Sequence, residues 1–274
     1  MATDNYKEIS NLFFDILQDN LNEASFAWLQ HAGKASELTK LGQSFVLLPR
    51  KTGKLIIKIS SNQLKTLEKL ELTTIKEWTV DRLARVWLLH SQSYQPAGKA
   101  KAVIENLFLS AEVNEAVALY LAIPFLSEPE SWINQCTEGI RSNIGVVLEA
   151  IMENNPYPSK YLSEAAWNQL VLKAFFTEKN INNIIGLAER ANASLALTLS
   201  DYARERYAAG RKVNPALWQL TAPFLDEKIF EAMKIGLQKQ DTADKMAITE
   251  AIKSSDYKPA KRYMEDLAFS ESSK

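Results

Sequence analysis

The stretch EGIRSNIGVVLEAIME, Glu138 to Glu153, decides the fold class. Ile140, Ile144, Val147, Leu148 and Ile151 recur at i, i+4, i+7, i+8 and i+11, the spacing of one helical face. The spacing predicts a single helix over these residues. It stops at Asn154-Asn155-Pro156, because the residue before a proline resists the α region. Ser163 then stands as the cap of another helix, with Trp167, Leu170, Val171, Ala174 and Phe175 on one stripe.

The same period extends in both directions. Towards the N-terminus it predicts helices over about 6–17 and 23–31. The first has Asp4 as its cap and Ile9, Phe13, Ile16 and Leu17 on one face. Further helices follow around Leu64–Leu70, after Thr79 with Val80, Leu83, Val86, Trp87 and His90, from Pro96, and from Val113 to Pro124. A short one runs from Pro129 to Trp132. Towards the C-terminus helices are expected over 194–209, closing at Gly210, and then over 215–220, 226–239, 242–253 and 259–268. Only 9 Gly and 9 Pro interrupt this pattern. The expected fold is therefore all-α: an α-solenoid (HEAT-like) stack of antiparallel helix pairs, with a compact bundle as the competing architecture. The regions read as 1–95, 96–225 and 226–274, the last a set of capping helices with a polar tail. One segment departs from the period. Phe45–Leu48 and Leu55–Ile59 flank Pro49–Lys54 and read either as a small β-hairpin near residues 44–59 or as an extended loop packed on helices.

Composition narrows the function classes. A chain of 274 residues can build a core without a disulfide or a metal. A net charge of -1 argues against a general nucleic-acid binder, which needs a surplus of positive charge. Cys136 is the single cysteine, so no internal disulfide forms. The N-terminus reads without a signal peptide, and no apolar run approaches the ~20 residues of a membrane span. A cytoplasmic location is expected. No phosphate loop, H-E-x-x-H or G-x-S-x-G motif occurs. His31 and His90 are the only histidines. No metal site and no cofactor are expected, and no catalytic residue is assigned. Cys136 reads as a buried structural thiol, or as a nucleophile if a histidine approaches it. Arg50, Lys51, Lys54 and Lys58 form a basic cluster. It suits either contact with anionic lipid or a phosphorylated ligand, or a solvated edge guarding two apolar runs.

Polar residues crowd the apolar stripes between Cys136 and Leu225. Arg141 and Asn143 flank the first stripe, and Asn168 adjoins Trp167. Leu195, Leu199, Tyr202 and Arg206 fall at i, i+4, i+7 and i+11, so that stripe ends in a phenol and a guanidinium. Glu205 lies about 100° away in projection. A buried arginine needs a carboxylate or a ligand anion. Either these residues pin neighbouring helices together, or they form a polar floor that holds a ligand.

The segments EGIRSNIGVVLEAIMENNPYPSKYLSEAAWNQLVLKAFF (Glu138 to Phe176) and LAERANASLALTLSDYARERYAAGRKVNPALWQL (Leu187 to Leu220) resemble the core of EboA-family proteins. The shared elements are R-x-N, N-P-Y-P, A-A-W-N-Q-L-V-L-K-A, E-R-A-N, D-Y-A-R-E-R-x-A-A-G-R and P-x-L-W-x-L. They fall here on Arg141 and Asn143, Asn155 to Pro158, Trp167, Asn168 and Lys173, Arg190 and Asn192, Tyr202, Glu205, Arg206 and Arg211, and Trp218. The resemblance implies a role in making and moving a small, isoprenoid-linked metabolite. Its expected partners are that metabolite and proteins of the same gene cluster, a membrane prenyltransferase-like protein among them. Arg141, Asn143, Asn168, Lys173, Tyr202, Glu205 and Arg206 form the expected ligand-binding set. A non-catalytic binding or adaptor role is the leading expectation. The alternative is an enzyme of the same pathway with a Tyr/Glu/Arg pocket.

Overall fold

A computed structural model of the chain describes residues 3–34, 38–94, 99–239 and 241–272. Sixteen α-helices and no strand occur among these residues. The all-α expectation therefore holds. The chain forms two compact units, Met1–Leu162 and Ser163–Lys274.

The first unit holds α1 (Thr3–Asn20), α2 (Glu23–Gly33), α3 (Leu38–Thr52), α4 (Ser61–Lys69), α5 (Val80–Ser93), α6 (Lys99–Ser110), α7 (Val113–Ala122), α8 (Ile133–Gly139), α9 (Gly145–Met152) and α10 (Tyr157–Tyr161). Its centre is α5, buried along almost its whole length and packed against α1, α2, α3, α6 and α7. Helix α7 packs in turn on α9. Cap chemistry sets several of the starts. Ser60 and Gln63 close a capping box on α4, and Asn22 caps α2.

Three local expectations are corrected here. The 44–59 hairpin is absent. Leu41, Phe45 and Leu48 sit at i, i+4 and i+7, and all three are buried on the inner face of α3. Pro49 lies inside that helix. It lacks the N–H that would bond the Phe45 carbonyl, and Arg85 Nε on α5 donates to that oxygen instead, at 3.1 Å. Helix α3 stops at Gly53, whose φ of 76° an L side chain rarely adopts. The following segment is extended, but it meets a different partner. Ile56 bridges Thr79, Ile57 N–H donates to Trp78 O, and Val80 N–H donates to Leu55 O.

The single helix expected over 138–153 is two helices, α8 and α9, separated by residues 140–144. A Cβ on Gly139 would lie about 2.5 Å from the Tyr120 ring and 2.7 Å from Ile151, so only glycine permits this close packing. In the break Ser142 Oγ accepts from Ile144 N–H. Ile144, counted in the core stripe, is 45% exposed. Asp4, expected as a cap, lies within α1. Pro96, expected to open a helix, lies outside the described residues.

The second unit holds α11 (Glu164–Phe176), α12 (Ala193–Ala208), α13 (Leu217–Thr221), α14 (Glu227–Leu237), α15 (Thr242–Ser254) and α16 (Lys258–Ser272). Ser163, Asn192, Asp226 and Asp241 cap α11, α12, α14 and α15 with side-chain oxygens. Helix α12 packs on α11, α13 and α14, and α15 packs on α13, α14 and α16.

Candidate ligand site

Five of the seven expected residues lie in the second unit, and the structure gives most of them structural partners. Asn168 on α11 and Asn192 exchange amide hydrogen bonds. Asn168 Nδ2 donates to Asn192 Oδ1 at 3.2 Å, and Asn192 Nδ2 donates to Asn168 Oδ1 at 2.9 Å. Asn192 Oδ1 also accepts from Leu195 N–H, so Asn168 steadies the cap of α12. Tyr202 Oη donates to the Phe175 carbonyl at 3.3 Å. Arg206 Nε donates to the Lys212 carbonyl at 2.8 Å. Its guanidinium also lies 5.9 Å from the centre of the Tyr202 ring and 3.7 Å from the exposed Glu178. These bonds tie the body of α12 to the end of α11 and the end of α12 to the loop after it. Lys173 is half-buried and engaged. Glu205 faces solvent and does not join Arg206.

Arg141 and Asn143 belong to the first unit, in the break between α8 and α9. Arg141 is exposed and pairs with Glu138, three residues back, at 3.0 Å. Asn143 is exposed too.

Among the described residues three cavities lie elsewhere, and none of the seven residues lines them. The first, of about 290 Å³, opens in the first unit between the start of α5 and the end of α9. Trp78, Arg82, Glu77, Glu149, Glu153 and Asn155 supply its chemistry. Asn155 is buried and fixed: its Nδ2 donates to Ala150 O and its Oδ1 accepts from Tyr157 N–H. Asn154 beside it holds a positive φ of 54°; asparagine is one of the few residues that adopt this conformation readily. Arg82 differs. Its neighbour Asp81 is taken by Arg85, and Arg82 makes no hydrogen bond or ion pair among the described residues. Burial lowers its pKa, opposed by the charge of Asp81.

A second cavity of about 230 Å³ shares Pro124 and Pro156 with the first. Tyr94, Tyr157 and Tyr161 line it, with Lys160 and Glu128. Tyr157 is anchored by donating to Pro129 O. Burial, then the nearby Tyr6 and Tyr161, pushes the Tyr94 phenol above its ordinary range. The N-P-Y-P motif thus stands between two cavities. The third, of about 330 Å³, lies in the second unit beside the buried Asp244. That carboxylate accepts from Tyr207 Oη and from Trp218 Nε1, the latter at 2.6 Å.

Cys136 and His90 are sequestered. Burial pushes the Cys136 thiol up to about 12, which keeps it protonated at neutral pH. His90 is buried with Nδ1 2.6 Å from Phe125 O and Nε2 3.4 Å from Tyr6 O. No group of three metal-binding side chains gathers among the described residues. No helix among them is long and apolar enough to cross a membrane.

Sequence reasoning missed Arg82, Arg85 and Asp244. Each lies on an ordinary amphipathic helix, and nothing local marks it. The one usable signal was Asn155-Pro156, noted as a motif and found in the cavity wall. A family model described as Metabolite traffic protein EboA matches residues 9–222. No curated protein matches the chain, and no solved structure matches it.

Proposed function

From the premise that the chain belongs to the EboA family of metabolite traffic proteins, we propose that it is a non-catalytic binding and adaptor protein. It serves the production and export of a small, isoprenoid-linked metabolite. It acts in the cytoplasm beside proteins of the same cluster, a membrane prenyltransferase-like protein among them. Stacked helix pairs of the HEAT kind would give such partners an extended surface.

The observation that carries the reading is the unpartnered Arg82 in the wall of the Asn155–Pro156 cavity. That volume sits near the lower end of small-molecule sites, roughly 300 Å³ upward. An anionic group there would meet Glu77, Glu149 and Glu153. A cationic group would meet Arg82. A hydroxyl both donates and accepts, so it suits the guanidinium and the carboxylates together. The cavity therefore suits the hydroxylated end of the metabolite, with Trp78 as an apolar wall. Tyr202 and Asn168 spend their polar atoms on internal bonds, and Arg206 spends its Nε likewise, which supports a structural role for them.

Mass spectrometry of small molecules retained by the purified protein tests this. The wild type should retain a hydroxylated compound, and Arg82→Met should lose it while Arg206→Ala keeps it. Conversion of a pathway intermediate by the purified protein would overturn the non-catalytic reading.

A further inference from the structure

One face of the first unit combines exposed apolar side chains with cations that form no ion pair among the described residues. On α3 the buried face carries Leu41, Phe45 and Leu48. Val46, Leu47 and Arg50 project from the opposite side, with Lys51 on its flank. Val46 is 53% exposed. After the turn at Gly53 the chain presents Leu55, 80% exposed, and Ile56, 65% exposed, between Lys54 and Lys58.

This segment is held rather than loose. Asn20 Nδ2 donates to Lys58 O, and Asn20 Oδ1 accepts from Lys58 N–H. The bonds to Trp78 and Val80 fix Leu55 and Ile57. Ser25 Oγ donates to Lys51 O, and the Lys51 ammonium lies 5.8 Å from the centre of the half-buried Trp28 ring. The outward direction of Leu55 and Ile56 is thus built into the fold.

Along the segment itself the charge is one-sided. Between Glu37 and Glu68 the sequence has no acidic residue, while Arg50, Lys51, Lys54 and Lys58 lie within it. None of these four forms an ion pair among the described residues. Exposed leucine and isoleucine set among cations match the boundary of an anionic bilayer, where apolar side chains enter the acyl region and cations meet lipid phosphates. We propose that this face, formed by the outer side of α3 and residues 54–58, docks the protein peripherally on an anionic lipid surface. This is independent of which ligand the Arg82 cavity takes.

Co-sedimentation of the full chain with vesicles tests the proposal. One set is equimolar phosphatidylglycerol and phosphatidylcholine; the other is phosphatidylcholine alone. Binding to the mixed vesicles only, weakened by added salt, is expected. Lys54→Glu with Lys58→Glu should reduce vesicle affinity by roughly tenfold or more. Leu55→Asp with Ile56→Asp should reduce it comparably. All four side chains are exposed, and an unchanged circular dichroism spectrum and unfolding temperature would show that the variants fold. Equal binding to both vesicle types, no binding to either, or folded variants that bind like wild type would each overturn the proposal.

Discussion

In the first unit a buried cation gathers two carboxylates, whereas in the second a buried carboxylate is held by neutral donors. Arg85 lies 3.5 Å from Asp81 and 3.4 Å from Glu115, and it also donates to the Phe45 carbonyl. All three charged side chains are buried, and one Asp81 oxygen lacks a hydrogen-bond partner. Asp244 instead takes its bonds from Tyr207 and Trp218. The difference follows from reach. The long arginine side chain serves α3, α5 and α7 at once, so it suits the centre of several helices. The short carboxylate needs donors brought to it, and α12 and α13 supply them. An ionic cluster contributes little net stability over an apolar one, yet breaking it strands charge. A carboxylate with neutral donors strands only dipoles when it is removed.

The sharpest break in this comparison is Arg85→Met. It leaves Asp81 and Glu115 buried without the guanidinium that joins them, at an expected cost of about 3–5 kcal/mol in urea unfolding. Adding Asp81→Asn and Glu115→Gln should recover most of that loss. A single variant as stable as wild type would mean that the cluster is wetter than its burial indicates. Asp244→Ala comes next. It leaves the Tyr207 and Trp218 donors unmatched, and should cost about 2–3 kcal/mol by the same measurement. If the two variants cost the same, the distinction between stranded charge and stranded dipoles fails.

The expected ligand set sharpens the comparison on a smaller scale. Arg206→Ala removes the bond to the Lys212 carbonyl at a half-buried site, and should cost about 1 kcal/mol. Arg141→Ala removes only an exposed pair, and should cost no more than about 0.5 kcal/mol. Thermal unfolding of both proteins resolves this order. A loss for Arg206→Ala near that of Arg85→Met would place Arg206 in a buried network of its own.

The least effect is a pH dependence specific to the first unit. Burial holds His90 below the ordinary histidine value of 6.5, while its contacts with Phe125 O and Tyr6 O act the other way. As pH falls below 6.5 the unfolded chain binds the proton first. Stability from this residue is therefore complete above 6.5 and is lost on acidification towards the lower folded pKa. His90→Gln should flatten the unfolding temperature against pH in that window. An unchanged slope would exclude His90 as its source.

Helix α3 shows where the pattern was readable and still misread. Leu41, Phe45 and Leu48 carry the helical period, but the outward Val46 and Leu47 fill the gaps between them and turn the stripe into a continuous apolar run. The exposed apolar residues that obscured the period are those now assigned to the lipid-facing surface. Over 138–153 the opposite occurred. The period was clean, yet Ile144 is exposed and α8 ends at Gly139, against which the Tyr120 ring packs closely. For the ligand set, spacing placed Tyr202 and Arg206 on one side of α12 and separated Glu205 from them. It could not name Phe175, Lys212 and Glu178 as their neighbours.

Local chemistry alone determined the helical class, the caps at Ser163 and Gly210, and the family motifs, because these depend on backbone preference and on spacing within one element. Tertiary structure alone decided which polar groups went inside. Arg82 and Arg85 are one turn apart on α5, with similar sequence surroundings. Arg85 meets Phe45, Asp81 and Glu115 in the core, and Arg82 faces a cavity unpaired. Helical spacing sets where a side chain points about its own axis; the partners that make burial affordable arrive from other helices.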